Sequence, residues 1–331
     1  MPEGGVRDRF IEIFEVPDVG KSCLDDIVRP VEQELVVQMD GDELGLSELA
    51  ERWNPDGENL KQLLEQSLRR GILEKEESGD ETVYWSTDFY TRLDFFAKYD
   101  DYLSLPKSKR IELDEWYLDK YTKKIKPYME DFQKDGGSSD YTTHTPVPLD
   151  RIKGIVDEAE KVVVVPCDCR RLHEDWDDPT RYCMNLDEAA EHVLQQGHGK
   201  ELSREDAKDL LDWTDEQGLM HCTDQDDGSE APLTICNCEI QWCYPFRAAE
   251  KLDSEEYWPV REYVASRDRE VCIECGLCAQ RCQFDAFKEV SRGKEAGEKI
   301  TFDQSSCWGC GICATTCPVS AIEIVPRSED Q

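Results

Sequence analysis

Cys272–Phe287 reads CIECGLCAQRCQFDAF, and Cys307–Ile322 reads CWGCGICATTCPVSAI. At one constant offset, Cys272, Cys275, Cys278 and Cys282 fall on Cys307, Cys310, Cys313 and Cys317. Gly276 meets Gly311, Ala279 meets Ala314, Ala286 meets Ala321, and Val290 meets Val325. The chain therefore carries an internal repeat. Thiolates gathered this densely suit soft metal centres. Two residues between ligands let a tight loop aim successive sulfurs at different corners of one inorganic cube. Gly276 and Gly311 tolerate positive φ, which lets backbone N–H groups approach. Two repeated runs of four cysteines would make an odd zinc ribbon, and a disulfide framework belongs to oxidising compartments.

The repeat resembles the bacterial-type ferredoxin domain that carries two [4Fe–4S] clusters. The likeness covers about a fifth of the chain, and its motif is specific. The resemblance implies a βαβ repeat and crossed ligation, because in that family the fourth cysteine of each run ligates the other cluster. Carried over, the first cluster takes Cys272, Cys275, Cys278 and Cys317. The second takes Cys307, Cys310, Cys313 and Cys282. Pro318 follows the last cysteine as the family expects, whereas Gln283 stands after Cys282. No ligand is lost there, but local geometry and hydrogen bonding to the cluster change.

Upstream, VVVVPCDCRRLHEDW and LTICNCEIQWCY each contain Cys-x-Cys. Residues two apart on an extended segment share a face. Cys167 with Cys169, and Cys236 with Cys238, would then each present a thiol pair. Cys183 lies between them, Cys243 follows, and Cys222 sits beside His221. Three readings of Cys167, Cys169, Cys183, Cys236, Cys238 and Cys243 stand side by side: a third iron–sulfur cluster, a structural zinc site, or a thiol–disulfide switch or plain buried thiols. Arg170 and Arg171 would lower a thiolate pKa nearby, or would pair with the acidic HEDWDD run. PCDCR and CNCEIQWC also resemble a group of anaerobe iron–sulfur proteins that join such segments to a C-terminal dicluster domain. That likeness implies architecture more than function, and Glu239 stands where many members carry a further cysteine. His173 and His221 are weaker ligand candidates, and Cys23 reads as a spare thiol.

The N-terminal part is patterned differently. RPVEQELVVQM, LSELAERW and ENLKQLLEQSLRR each suit a helix, and GILEKEESGDETVYWS reads as a hairpin turning at Gly79. Three helices and a hairpin resemble a winged helix-turn-helix domain. Charge argues against DNA. Pro30–Tyr99 holds 7 basic and 17 acidic residues, and the hairpin tip is acidic. Phe89–Tyr102 and Ile111–Phe132 read as helices whose aromatic residues are core. Gln133–Pro148, rich in Gly, Ser, Thr and Pro, reads as a linker.

The whole is an α+β multidomain chain. The expected parts are an N-terminal segment (1–29), a winged-helix-like domain (30–99), a helical segment with linker (100–145), a cysteine-rich α+β domain (146–263) and a dicluster ferredoxin-like domain (264–331). With 39 basic and 74 acidic residues, the net charge of -35 repels nucleic acid and anionic lipid. It suits basic docking surfaces on redox partner proteins, or a salt-rich medium. No run reaches membrane-span length and no signal pattern opens the chain, so a cytoplasmic setting is expected. Nothing matches a nucleotide loop, flavin fingerprint or hydrolase triad. The expected function is single-electron relay between a low-potential donor and a partner oxidoreductase. The alternatives are an electron-accepting oxidoreductase subunit with a third metal centre, and a redox-sensing regulator using the winged-helix part.

Overall fold

A computed structural model of the chain describes residues 5–53, 59–78, 81–134, 143–173, 183–225, 233–254, 261–290 and 299–327. It divides into two compact units. The first comprises residues 1–120 with 168–178 and 196–198, and the second comprises the rest.

In the first unit, helices Pro30–Met39, Leu46–Arg52 and Leu60–Arg69 precede an antiparallel hairpin of β2 (Leu73–Ser78) and β3 (Glu81–Ser86). The two-residue β1 (Leu44–Gly45) joins the other edge of β3, giving the order β1-β3-β2. Gly79 lies outside the described residues. Leu63 and Leu64 face the core, as their helical spacing requires. Pro30 occupies the first helical turn, and the Glu32 carboxylate accepts the Arg29 N–H at 2.9 Å, closing the helix start. The segment before Pro30 is part of this core: helix Val6–Ile13 and its end bury Phe10 and Phe14, stacked at 4.8 Å. Tyr90 stacks on Tyr117 at 4.1 Å, joining helix Phe89–Tyr99 to the first half of helix Lys107–Lys134. Tyr90 and Tyr117 pack on each other, as core does, whereas Tyr128 is exposed, so the aromatic residues of this stretch are not all core.

A buried ion network holds this unit. Arg92, fully buried, donates to the Ile27 carbonyl (2.7 and 2.9 Å), the Arg70 carbonyl (2.8 Å) and the Asp100 carboxylate. Arg70 itself donates to Glu32 at 2.8 Å, Asp100 at 3.0 Å and the Ile27 carbonyl at 3.0 Å. Removing one partner of such a network leaves desolvated groups unpaired. Arg92→Ala is expected to destabilise the first unit by about 3–5 kcal/mol, read by denaturant unfolding.

The second unit is built on a six-stranded antiparallel sheet in the order β4-β8-β9-β6-β5-β7. Its strands are β4 (Thr143–Pro146), β5 (Val162–Val165), β6 (Cys183–Leu186), β7 (Lys200–Leu202), β8 (Met220–Gln225) and β9 (Thr234–Cys238). The expected linker is thus partly wrong: Thr143–Pro146 is an edge strand, where threonine favours extension and proline costs no ladder bond. Residues 135–142 of that stretch lie outside the described residues. One face of the sheet buries Val162, Met184, Leu186 and Ile235 against helices Leu149–Glu158 and Arg204–Gln217. The Ser203 hydroxyl caps the latter helix by accepting the Asp206 N–H at 3.1 Å.

The first Cys-x-Cys also departs from expectation. The strand stops at Val165, and Cys169 lies in helix Asp168–His173, so the two thiols do not alternate along one extended segment, yet their sulfurs still lie within 4.8 Å of each other. Arg171 donates to the Ala97 carbonyl at 2.9 Å, and its acidic partner run lies mostly outside the described residues.

The C-terminal repeat is repeated in the backbone. β10 (Tyr263–Arg267) pairs antiparallel with β13 (Ile322–Pro326), and β11 (Phe287–Glu289) with β12 (Ile300–Phe302). Each half therefore lends one strand to the other. Gly276 and Gly311 both sit at φ 88° and open short helices, and Asp285 and Ser320 match at 55° and 51°.

Candidate iron–sulfur centres and the thiol-rich sheet face

In the first repeat, Cys272, Cys275 and Cys278 line one hollow together with Cys317 from the second repeat. In the second repeat, Cys310 and Cys313 sit within electrostatic reach of Cys307 and of Cys282 from the first. Cys317 thus stands with the first-repeat thiols, and Cys282 lies within reach of those of the second repeat. Burial pushes the Cys310 thiol up to about 12 and Cys313 higher still, with neighbouring sulfurs adding to the effect. Thiols in such surroundings ionise readily only when a cation supplies the charge. Backbone N–H groups already point at sulfur: Ala321 N–H donates to Cys317 Sγ at 3.2 Å, and Ala265 N–H to Cys307 Sγ at 3.4 Å. Such bonds stabilise negative charge on the ligand and tune a cluster's potential.

The two ends differ in exposure. Cys275 is exposed among Val271, Ile273 and Leu277, all exposed, with Ile273 at 60 %. The second loop turns inward. Trp308 and Ile312 are buried in one apolar cluster with Met220, Cys222, Cys238, Cys243 and Phe246 of the sheet part, and Cys310 packs against it.

Gln283, where the family expects proline, ties the tail to the sheet part. Its amide donates to the Gly218 carbonyl at 2.6 Å, and its oxygen accepts the Ile240 N–H at 3.0 Å. Arg281 beside it donates to the Asp215 and Glu216 carbonyls at 2.6 and 3.0 Å. These carbonyls lie at the end of helix Arg204–Gln217, where Asp215 also accepts the Gly218 N–H at 2.8 Å. Gln283→Pro is expected to keep both clusters yet cost about 1–3 kcal/mol. The Ile240 amide should exchange faster in the variant, as followed by hydrogen exchange.

The second Cys-x-Cys behaves as expected on an extended strand. Cys236 and Cys238 lie on one face of β9 and are hydrogen-bonded to each other. Cys222 pairs opposite Cys236 across β8 and β9. The β6–β9 register, carried one pair further, brings Cys183 to the other side of Cys236, and the two are hydrogen-bonded. Cys183 also bonds Cys167. A row of thiols therefore crosses the sheet. Hydrogen bonds with Cys167 and Cys236, then burial, push Cys183 well up. The bond to Cys183 lowers Cys236, but Cys238 and burial outweigh it. Cys238 differs. Its bond with Cys222 raises it, yet bonds with Cys236 and Cys243 hold it below the ordinary thiol value.

One residue on this face escaped sequence reasoning. His144 Nε2 lies 3.3 Å from Cys238 Sγ and 3.4 Å from Cys243 Sγ. Its strand had the composition of a linker, so no signal distinguished it. The histidines weighed earlier are engaged elsewhere. His173 Nδ1 meets Asp114 at 2.8 Å, and His221 Nδ1 meets Asn237 at 2.6 Å on the opposite face of the sheet. Cys23 is buried, and its thiol meets the Gly20 carbonyl at 3.5 Å.

Beside the second loop opens a cleft of about 530 Å³, walled by Phe246, Phe284 and Trp308 with Glu250, Arg261 and Ser306 at its rim. Phe284 and Trp308 stack at 5.0 Å, and the Arg261 guanidinium lies 4.1 Å over the Trp308 ring.

Comparison with known proteins agrees with the tail's geometry. Residues 253–321 match the family model of the 4Fe-4S dicluster domain. No curated protein matches the chain. The C-terminal region therefore carries a ferredoxin-type domain of the 4Fe-4S-binding, electron-transferring class, which implies redox protein partners. Among the described residues, no helix is long and apolar enough to cross a membrane.

Proposed function

We propose that the chain relays single electrons between a low-potential donor and a partner oxidoreductase through two [4Fe–4S] clusters. Cys272, Cys275, Cys278 and Cys317 hold the first, and Cys307, Cys310, Cys313 and Cys282 the second. The observation that carries this reading is the pairing of an exposed loop at Cys275 with an inward loop at Cys310. An external partner meets the first cluster across Val271, Ile273 and Leu277, and charge passes to the second. The clusters supply the redox chemistry; the protein's residues hold them, orient them and exclude water. The acidic surface favours partners with a basic docking face. A further centre among the sheet-face thiols belongs to the same reading, as do a cytoplasmic, anaerobic setting and a division at about residues 30, 100, 146 and 264.

Residues 30–99 serve as a winged-helix-like docking module rather than a DNA reader. Arg70 of the candidate recognition helix is held by Glu32 and Asp100, and the hairpin exposes Glu74, Glu76 and Glu77. Phosphate would meet little free positive charge there. The aromatic cleft beside the second loop favours one other reading, in which the tail feeds electrons to a small planar substrate.

Anaerobic reductive titration followed by EPR tests the relay. The expected result is about eight irons, uptake of about two electrons per chain, and two interacting reduced clusters. A chain without bound iron, or with clusters that no low-potential dye reduces, overturns it.

A further inference from the structure

We propose that His144, Cys222, Cys238 and Cys243 bind a single tetrahedral divalent ion, zinc or ferrous iron. The proposal deepens the reading of a further centre on the sheet face and rests on it. The ligands come from four elements: β4, β8, β9 and the start of helix Tyr244–Lys251, where Cys243 is the N-cap residue.

The distances discriminate between one ion and a cube. Metal–sulfur bonds of about 2.3 Å and metal–nitrogen bonds of about 2.0 Å at tetrahedral angles put nitrogen and sulfur about 3.5 Å apart. His144 Nε2 stands 3.3 and 3.4 Å from the two sulfurs, and the three ligand atoms all lie within 4.8 Å of one another. Thiolates of a cubane bind different irons and stand farther apart than those on one ion. Cys222, fully buried in the same apolar cluster as Cys238 and Cys243, does not lie within 4.8 Å of all three atoms; we assign it the fourth corner, which its side chain reaches by a small shift. Cys236 is the poorer choice, because Cys183 already engages it.

The surroundings suit a soft ion. Cys238 and Cys243 are buried, and Phe246 sets its ring edgewise on His144 at 5.8 Å, limiting how the imidazole turns. The N-terminal end of helix Tyr244–Lys251 favours negative charge on Cys243. Three sulfurs and one nitrogen complete the tetrahedron and leave no open position, which marks a structural centre rather than a catalytic one. It fastens edge strand β4 to the sheet and to the helix that packs on Trp308.

The test uses the full chain, purified without air and with its clusters in place. Elemental analysis is expected to find one zinc, or one iron beyond the eight of the tail. X-ray absorption at that metal's edge should give three sulfurs at about 2.3 Å and one nitrogen at about 2.0 Å. His144→Ala and Cys222→Ser should each lower occupancy at least about tenfold while the EPR of the tail clusters stays unchanged. His144→Cys should restore the ion with an all-sulfur shell, which a merely structural histidine would not do. No metal beyond the two clusters, or about twelve irons with the iron–iron scattering of a third cube, overturns the site. Loss of the tail clusters with this ion still bound would instead count against the relay.

Discussion

Cys317→Ser will empty the first cluster, although Cys317 lies in the second repeat. The basis is spatial: Cys317 lines the hollow of Cys272, Cys275 and Cys278, while Cys307, Cys310 and Cys313 keep company with Cys282. Removing one of four thiolates leaves an iron corner open and the cube exposed to loss. Iron is expected to fall from about eight to about four per chain. Alkylation under argon, mapped by mass spectrometry, should then label Cys272, Cys275 and Cys278 and spare Cys307, Cys310 and Cys313. Cys282→Ser should give the mirror pattern. Labelling of the second-repeat thiols in the Cys317 variant would show that each loop closes its own cluster, and the crossed assignment would be lost.

Gly309→Ala has the next largest expected effect, and its origin is steric. Gly309 sits at φ 68°, and a Cβ there would lie 2.3 Å from the Tyr263 carbonyl oxygen. That carbonyl belongs to β10, whose ladder with β13 closes the two halves. Neither partner can yield without breaking the pairing. The left-handed conformation alone costs a non-glycine residue about 1–2 kcal/mol, and a clash with backbone adds to it. We expect loss of at least about 3 kcal/mol, seen as a lowered midpoint of anaerobic unfolding and faster bleaching of cluster absorbance. Gly276→Ala is the control. It carries the same left-handed cost at φ 88°, but its nearest neighbour would be the end of the Glu289 side chain at 3.5 Å. Its expected cost is about 1–2 kcal/mol. Equal damage at both positions would remove the steric argument.

The same repeat shows where sequence comparison stops. At the offset that superposes the cysteines, Gly309 matches Glu274, which also has positive φ, at 53°. The backbone demand is common to both loops, yet Glu274 has room for a side chain, whose carboxylate accepts the Lys299 N–H at 2.9 Å, whereas Gly309 lies against the Tyr263 backbone. Sequence alone could not reveal that difference, because Tyr263 and Gly309 meet only through the sheet. Gln283 is similar. Its departure from proline was visible, but its bonds to Gly218 and Ile240 required the tail and the helix end to be in place. In the first unit, the leucine spacing of Leu60–Arg69 was legible, whereas the burial of Phe10 and Phe14 was not. An eight-residue helix carries too few turns to display a pattern.

The amino-acid order by itself determined the iron-binding loops. The first three ligands of each run are three residues apart, so local geometry sets them, and a second copy of the pattern removes ambiguity. It also determined the helices long enough to show an apolar stripe and the acidic balance of the surface. Tertiary structure alone decided which distant thiols converge. It set Cys222 opposite Cys236, left Cys169 on a helix, and brought His144 from an apparent linker to within 3.4 Å of two sulfurs. The reason is register. A sheet joins residues far apart in the chain, and a shift of one residue would turn His144, Cys222 or Cys236 to the other face.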